Sequence, residues 1–161
     1  MQIECRMTES DPRSQPTYLI NRSAKLLARI CDERLRPIGF SVAQLPVLGA
    51  LKQGSLSQKE LTRIGEIGQP AMAQMLARME RDGLVRRALD PEDARSSLFS
   101  LTEKAREGLP EGRRILSEVK DEALAGLAAR DVALLVAALQ RVGRNLEAMI
   151  ERLGSPQAEE K

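Results

Sequence analysis

The sequence contains no histidine, which limits the chemistry that its side chains can perform. Histidine is the commonest general base, the commonest zinc ligand and the usual pH-sensitive group in proteins. The two cysteines, Cys5 and Cys31, lack the spacing of metal ligands, and no group of carboxylates has that spacing. The sequence also lacks a nucleophile–base pair, a phosphate-binding glycine loop and the paired acids of a hydrolytic site. We therefore expect a protein that is not an enzyme and that holds no metal ion or cofactor.

Glutamine and arginine side chains on one predicted helix are the residues best suited to recognising another molecule. The segment PAMAQMLARMERDG has a proline in its first turn and ends at Gly83, and its methionines and leucine form one apolar stripe. On the opposite face, glutamine can bond adenine through two hydrogen bonds, arginine can bond guanine or phosphate, and small apolar groups can touch thymine methyls. The candidate base-contacting residues are Gln69, Pro70, Ala71, Ala73, Gln74 and Arg78. The alternative is an ordinary solvated helix face.

The segment just before this helix predicts a shorter helix that would position it. Ser57 and Glu60 have the spacing of a capping box at the start of SQKELTRIG, and a turn from Glu66 to Gln69 follows. In such a helix–turn–helix, the second helix enters the major groove of DNA and its N-terminal residues reach base edges. Ser57 and Gln58 lie where a helix N-terminus can bind a phosphate, although a plain N-cap explains them equally well.

The segments LVRRALD and SSLFSLT predict two short strands joined by the turn-rich sequence DPEDAR, and thus a β-hairpin. Arg86 and Arg87 lie on the first strand and could follow a DNA backbone. Adjacent strand residues face opposite ways, so at most one of the two arginines is expected to do so.

Amphipathic segments flank this region on both sides. We predict one helix from Thr17 to about Arg36, a second from its N-cap at Ser41 to Gly54 with Pro46 inside it, and two long helices near 102–127 and 131–153. The last helix carries an apolar stripe that needs more cover than a small winged-helix core supplies, which favours a partner subunit. The fold class is therefore mainly α with a small β-hairpin wing, a winged helix–turn–helix between terminal dimerisation helices.

Composition agrees with a helical protein, since hydrophobic residues make up 42% of the chain and aromatic residues only 2%. No apolar run approaches the roughly 18 residues of a membrane span, and the N-terminus lacks a secretion signal, so we expect a cytoplasmic protein without a membrane partner. The net charge of +2 does not by itself indicate nucleic-acid binding. We expect a flexible arm over 1–16 and a disordered tail over 154–161.

Two stretches resemble the MarR (multiple antibiotic resistance regulator) family. LSQKELTRIGEIGQPAMAQMLARMERDGLVRR is similar to the family's helix–turn–helix, and DPEDARSSLFSLTEKAR is similar to its wing, whose usual form is Asp-Pro-x-Asp-x-Arg followed by Leu-Thr. Two departures concern the turn Gly65–Gly68, where Leu-Gly-Val is more usual, and Ala94, where a second basic residue is frequent. The resemblance implies a DNA-binding region over 41–101 and a dimerisation region over 17–40 and 102–153.

The resemblance also implies how such a protein would act. Asp93 would orient Arg95, and Arg95 would insert into a DNA minor groove. A homodimer would bind a double-stranded, pseudo-palindromic operator with half-sites about one helical turn, roughly 10 bp, apart, and would usually repress. A small aromatic or phenolic effector would bind beside the dimerisation helices and favour a form that no longer fits the operator. Candidate pocket residues are Tyr18, Arg22, Leu26, Ile30, Leu45 and Leu48.

Two other functions are considered. In a cysteine-based redox-responsive regulator, peroxide would abolish DNA binding through Cys31, although Cys31 lies on the apolar stripe of the first helix, where cysteines are usually inert. Cys5, in the N-terminal arm, matches no sensing pattern. Winged helices also serve as protein-interaction adaptors that do not bind DNA. Salt-sensitive, sequence-specific DNA binding separates a regulator from an adaptor.

Overall fold

The computed structural model describes residues 11–91, residue 93 and residues 96–154. The chain divides into two compact units, with the boundary between Val119 and Lys120. The helices are α1 (Pro16–Leu35), α2 (Leu45–Leu51), α3 (Gln58–Gly65), α4 (Gln69–Arg81), α5 (Glu103–Ala123) and α6 (Ala129–Gly154). The strands are β1 (Leu56–Ser57), β2 (Val85–Leu89) and β3 (Ser97–Leu101). The predicted fold class, mainly α with a small β-hairpin wing, is confirmed.

The first unit surrounds one apolar core to which α1 to α5 and the sheet all contribute. Its largest fully buried side chains are Leu35, Val47, Leu48, Leu51, Leu61, Met72, Leu76, Met79, Leu84 and Leu101. Burial of side chains of this size stabilises a fold by roughly 1.5–3 kcal/mol each before the loss of conformational entropy is counted. The helix–turn–helix and the hairpin therefore form one packed body.

The sheet has three antiparallel strands in the order β1-β3-β2. Val85 pairs with Leu101 and Arg87 pairs with Phe99, so these residues share one face of the hairpin, on which Val85, Phe99 and Leu101 are buried and Arg87 is exposed. The hairpin was predicted, whereas β1 was not. A strand of two residues carries no alternation of its own, and it forms here because Leu56 pairs with Phe99.

The second helix is shorter than the sequence pattern predicts. Val42–Gln44 forms a 3-10 turn, and α2 begins at Leu45, with Pro46 in its first turn. A proline has no N–H to donate, and the first turn of a helix is where that loss costs nothing. The predicted N-cap at Ser41 is confirmed, since Ser41 and Gln44 form a capping box there, but the first turn is 3-10 and the α-helix itself starts about one turn later than predicted.

A close approach between α5 and the chain after α1 fixes the position of α5 in the first unit. The buried ring of Phe40 lies against α5, and a Cβ atom at Gly108 would come within 2.8 Å of that ring. Any side chain at Gly108 would force the ring to move, so glycine permits this packing.

The second unit consists mainly of α6, which carries a long apolar face. Its exposed large apolar side chains are Leu134, Leu135, Val136, Leu139, Leu146, Met149, Ile150 and Leu153. Across the residues that the structure describes, no helix is both long and apolar enough to cross a membrane.

Candidate nucleic-acid interface

The N-terminus of α3 carries the predicted capping box. The backbone N–H of Ser57 donates to Glu60 Oε2 at 2.8 Å, and the backbone N–H of Glu60 faces Ser57 Oγ at 3.4 Å. The bond from the Ser57 backbone N–H favours the charged carboxylate and contributes most to lowering the pKa of Glu60. Since the Ser57 hydroxyl also donates to Glu60 at 2.7 Å, that hydroxyl hydrogen is already engaged within the cap.

The turn between α3 and α4 depends on the backbone conformation of Glu66 and on the absence of a side chain at Gly65. Glu66 ends α3 with a φ of 51°, in the left-handed region that side chains other than glycine seldom adopt. A Cβ atom at Gly65 would lie 2.9 Å from the Met72 methyl carbon, so glycine lets the end of α3 pack against the first turn of α4. Gly65 and Glu66 therefore shape the connection between the two helices.

α4 buries one face and exposes the other, as the sequence predicts. Met72, Leu76 and Met79 are buried, and Met75 is half-buried. All six candidate base-contacting residues on this helix are exposed, namely Gln69, Pro70, Ala71, Ala73, Gln74 and Arg78. The apolar face anchors the helix to the core, which leaves the polar face free to meet a large ligand.

A pair of glutamine side chains joins the first turns of the two helices. Gln58 Nε2 lies 3.0 Å from Gln69 Oε1 and 3.4 Å from the Gln69 carbonyl oxygen. The two residues are 11 positions apart, and the turn centred on Glu66 brings them together. The sequence motifs gave no signal for this contact, because it depends on the conformation of the turn.

The two arginines of β2 bond serines on opposite faces of the hairpin. Arg86 Nε donates to Ser100 Oγ at 2.9 Å, and Arg87 Nε donates to Ser97 Oγ at 2.8 Å. Only Arg87 is among the residues that line a cleft of about 340 Å³ beside the helix–turn–helix. That cleft is lined by Ser57, Gln58, Lys59, Gln69, Arg87, Ser96, Ser97 and Phe99. Arg87 thus lies on the same side of the fold as the first turns of α3 and α4.

The hairpin loop is closed by backbone hydrogen bonds. The Asp90 N–H donates to the Ser96 carbonyl at 3.2 Å, and the Ser96 N–H donates to the Asp93 carbonyl at 2.8 Å. Asp93 is exposed. Arg95, the residue expected to insert into the minor groove, and Ala94 lie outside the described residues. The pairing of Asp93 with Arg95 therefore stays a prediction.

Cys31, the residue considered for redox sensing, is 5% exposed on α1. Burial, followed by the negative charge of Asp32, raises the pKa of its thiol, which disfavours the reactive thiolate at neutral pH. Cys5 lies outside the described residues. Within the described part of the chain, no group of three or more cysteine, aspartate or glutamate side chains could hold a metal ion.

The six candidate pocket residues lie in different environments. Leu48 is fully buried in the core and Leu45 is half-buried against it, whereas Tyr18, Leu26 and Ile30 are 42–49% exposed on α1. Arg22 is also exposed on α1. The structure therefore presents an apolar face of α1 that includes an arginine.

The helix–turn–helix and hairpin region is similar to known proteins. The family model described as the MarR family matches residues 38–96. YwoH of Bacillus subtilis, an uncharacterized HTH-type transcriptional regulator, is 32% identical over 109 residues, which cover 67% of this chain and 79% of YwoH. This identity and coverage establish a common family.

Solved structures of related proteins have the same fold. A mutant of MarR from Escherichia coli, solved in complex with operator DNA, superposes with a TM-score of 0.71 at 26% identity and covers 78% of this chain and 91% of its own. BpsR of Bordetella bronchiseptica, whose DNA binding is regulated by 6-hydroxynicotinic acid, superposes with a TM-score of 0.73 at 22% identity, over 84% of this chain and 98% of its own. The chain therefore belongs to the MarR family of winged helix–turn–helix, DNA-binding transcriptional regulators.

Proposed function

We propose that the protein is a homodimeric repressor that binds a pseudo-palindromic operator and leaves it when a small aromatic or phenolic acid binds. The observation that carries the DNA-binding part is the exposed face of α4. There, Gln74 and Arg78 lie opposite the buried stripe that anchors the helix, and Gln69 is exposed in the first turn beside α3. Glutamine and arginine supply the donors and acceptors that distinguish bases in the major groove. Residues 41–101 form the DNA-binding region in this proposal.

The wing and the start of α3 would hold the DNA backbone and the minor groove. Ser57 and Gln58 lie at the N-terminus of α3, where backbone N–H groups favour a phosphate. Asp93 is exposed in the hairpin loop, and we assign Arg95 to the minor groove on the family resemblance. Replacing Arg95 with alanine is expected to weaken operator binding, and an Arg95→Ala variant that binds as tightly as the wild type would remove the wing from the proposal.

Uncovered apolar surface supports a homodimer. Leu19, Leu26 and Leu27 of α1 are 45–49% exposed, and on α6 the exposure of Ile150 and Leu153 reaches 67% and 86%. Contiguous apolar faces of this kind mark association sites in otherwise polar proteins. We assign 17–40 and 102–153 to dimerisation. Sedimentation velocity is expected to give a dimer at micromolar concentration, and a monomer would contradict the assignment.

α1 also suggests the class of effector. Tyr18, Leu26 and Ile30 offer apolar surface, and the Arg22 guanidinium can bond a carboxylate through two parallel hydrogen bonds. A panel of aromatic and phenolic acids that includes 6-hydroxynicotinic acid should contain one that releases the protein from DNA. The Arg22→Gln variant should need more of that acid while binding DNA normally. If no acid acts, the effector part of the proposal fails, and a regulator set by its own concentration becomes the alternative.

Selection from a randomised duplex pool tests the proposed function. The protein is expected to enrich an inverted repeat whose half-sites are about 10 bp apart. A pool that stays random after several rounds would contradict sequence-specific binding and would favour a protein-interaction adaptor. A pool that enriches a single half-site would contradict only the dimeric mode.

A further inference from the structure

The contact between Gln58 and Gln69 has a defined polarity. A backbone carbonyl can only accept a hydrogen bond, so the Gln58 atom that faces the Gln69 carbonyl at 3.4 Å must be the amide nitrogen. The same nitrogen lies 3.0 Å from the end of the Gln69 side chain, and the atom there must therefore be an acceptor, Oε1. The Gln69 carbonyl thus favours one orientation of both side-chain amides, a constraint that a lone glutamine on a helix surface lacks.

This direction of the hydrogen bond determines which donors and acceptors of Gln69 stay available to bond a base. Oε1 has two lone pairs, of which Gln58 uses one, and Nε2 keeps both of its N–H groups. One acceptor beside one donor matches the N6 amino group and N7 of adenine in the major groove. The opposite amide orientation would place a donor against the Gln58 amide nitrogen and would break the pair.

We propose that Gln58 is a positioning residue that holds the Gln69 amide in the orientation that recognises adenine. This inference rests on the proposed function, because it needs α4 to contact bases in a preferred sequence. Gln58 belongs to α3 and acts through Gln69, so the predicted effect of changing Gln58 is a loss of preference at one base pair of each half-site. A residue that merely bonded a phosphate would change affinity for all sequences alike.

The experiment measures base preference at every position of the selected site, for the wild type and for variants. The Gln69→Ala variant is expected to lose one adenine preference per half-site, a change of roughly 5- to 150-fold in discrimination for a pair of hydrogen bonds to a base. The Gln58→Ala variant should lose at least about twofold at that same position, the lower end of coupling between side chains in contact. Other positions should keep their preferences in both variants.

Two further variants test whether the effect of Gln58 comes from positioning the Gln69 amide, from charge near the DNA or from a general loss of DNA binding. The carboxylate of the Gln58→Glu variant cannot donate to Gln69, so it should draw the Gln69 amide into the opposite orientation and lower adenine preference more than the Gln58→Ala variant does. The Lys59→Ala variant removes a neighbouring cation from the same cleft. It should weaken binding to all sequences and change no base preference.

The outcomes distinguish this inference from the proposed function. If the wild type selects an operator and Gln58→Ala weakens binding evenly without changing any base preference, Gln58 does not position Gln69 and the inference is wrong. A preferred guanine, rather than adenine, at the Gln69-dependent position would also overturn it. If the wild type selects no sequence at all, the proposed function fails and this inference fails with it.

Discussion

The two adjacent arginines of β2 provide a matched test of which surface meets DNA. Arg86 and Arg87 carry the same charge, are both exposed, and each bonds a serine of β3 through Nε. Only Arg87 lines the cleft beside the first turns of α3 and α4. If that side of the fold meets the DNA backbone, Arg87→Ala should remove a phosphate contact and Arg86→Ala should not.

The expected magnitude follows from counterion release. Each phosphate contact steepens the negative slope of log affinity against log salt concentration by about 0.9. A homodimer that loses one contact per subunit should therefore have a slope that is shallower by about 1.8. Over a fourfold change of salt, from about 50 to about 200 mM, this difference amounts to roughly 12-fold in affinity. The Arg87→Ala variant should bind more weakly at low salt and lose affinity less steeply as salt rises.

The assay is fluorescence anisotropy of a labelled operator duplex, titrated with each protein at several salt concentrations. Circular dichroism of the two variants controls for folding, since both lose an equivalent arginine–serine bond. The Arg86→Ala slope should equal that of the wild type within error. Equal reductions in the two variants would show that charge alone matters, and a reduction confined to Arg86→Ala would place the DNA on the other face of the hairpin.

Three predictions concern the stability and reactivity of the fold. Glu66→Gly should raise the free energy of unfolding by about 0.5–1 kcal/mol, because it relieves a left-handed φ, and should raise Tm by about 1–4 °C at a fixed protein concentration. Ala77→Gly, inside α4, should instead lower the free energy of unfolding by about 1 kcal/mol, and a loss of similar size in both variants would refute the reasoning. In a Cys5→Ser variant at neutral pH, Cys31 should react with iodoacetamide far more slowly in the native protein than in urea, because burial raises its thiol pKa; similar rates would support the redox alternative. The pKa of Glu60 is lowered in the folded state. Its stabilising contribution is therefore fully present above the ordinary glutamate pKa of about 4.3, and it is lost as the pH falls through the lower pKa of the folded protein. Between about pH 6 and about pH 3, Glu60→Gln should therefore lose less stability to acid than the wild type in urea titrations, and coincident profiles would contradict this role.

Local patterns in the sequence were sufficient to predict the helix–turn–helix. The spacing of Met72, Leu76 and Met79 identifies the buried face of α4, and the Ser57–Glu60 spacing identifies the cap of α3. Both signals arise within one or two turns of helix, where neighbours in sequence are neighbours in space. Such features can be inferred without knowledge of the rest of the fold.

Features that depend on distant pairing could not be predicted in the same way. The register that pairs Arg87 with Phe99 decides which arginine faces the helix–turn–helix, whereas the sequence indicates only that the two arginines face opposite ways. Likewise, β1 exists because Leu56 meets Phe99 across the fold. The Gln58–Gln69 contact requires the left-handed turn at Glu66, which a pattern of apolar residues does not encode.

This protein is expected to bind one DNA sequence in preference to others. The most direct test is an anisotropy titration, near physiological salt, of a duplex from upstream of its own gene and of a scrambled duplex of the same composition. We expect nanomolar binding to the upstream duplex and binding at least about 10³-fold weaker to the scrambled one. Equal, weak binding to both duplexes would contradict the claim, provided that the randomised pool also yields no preferred sequence.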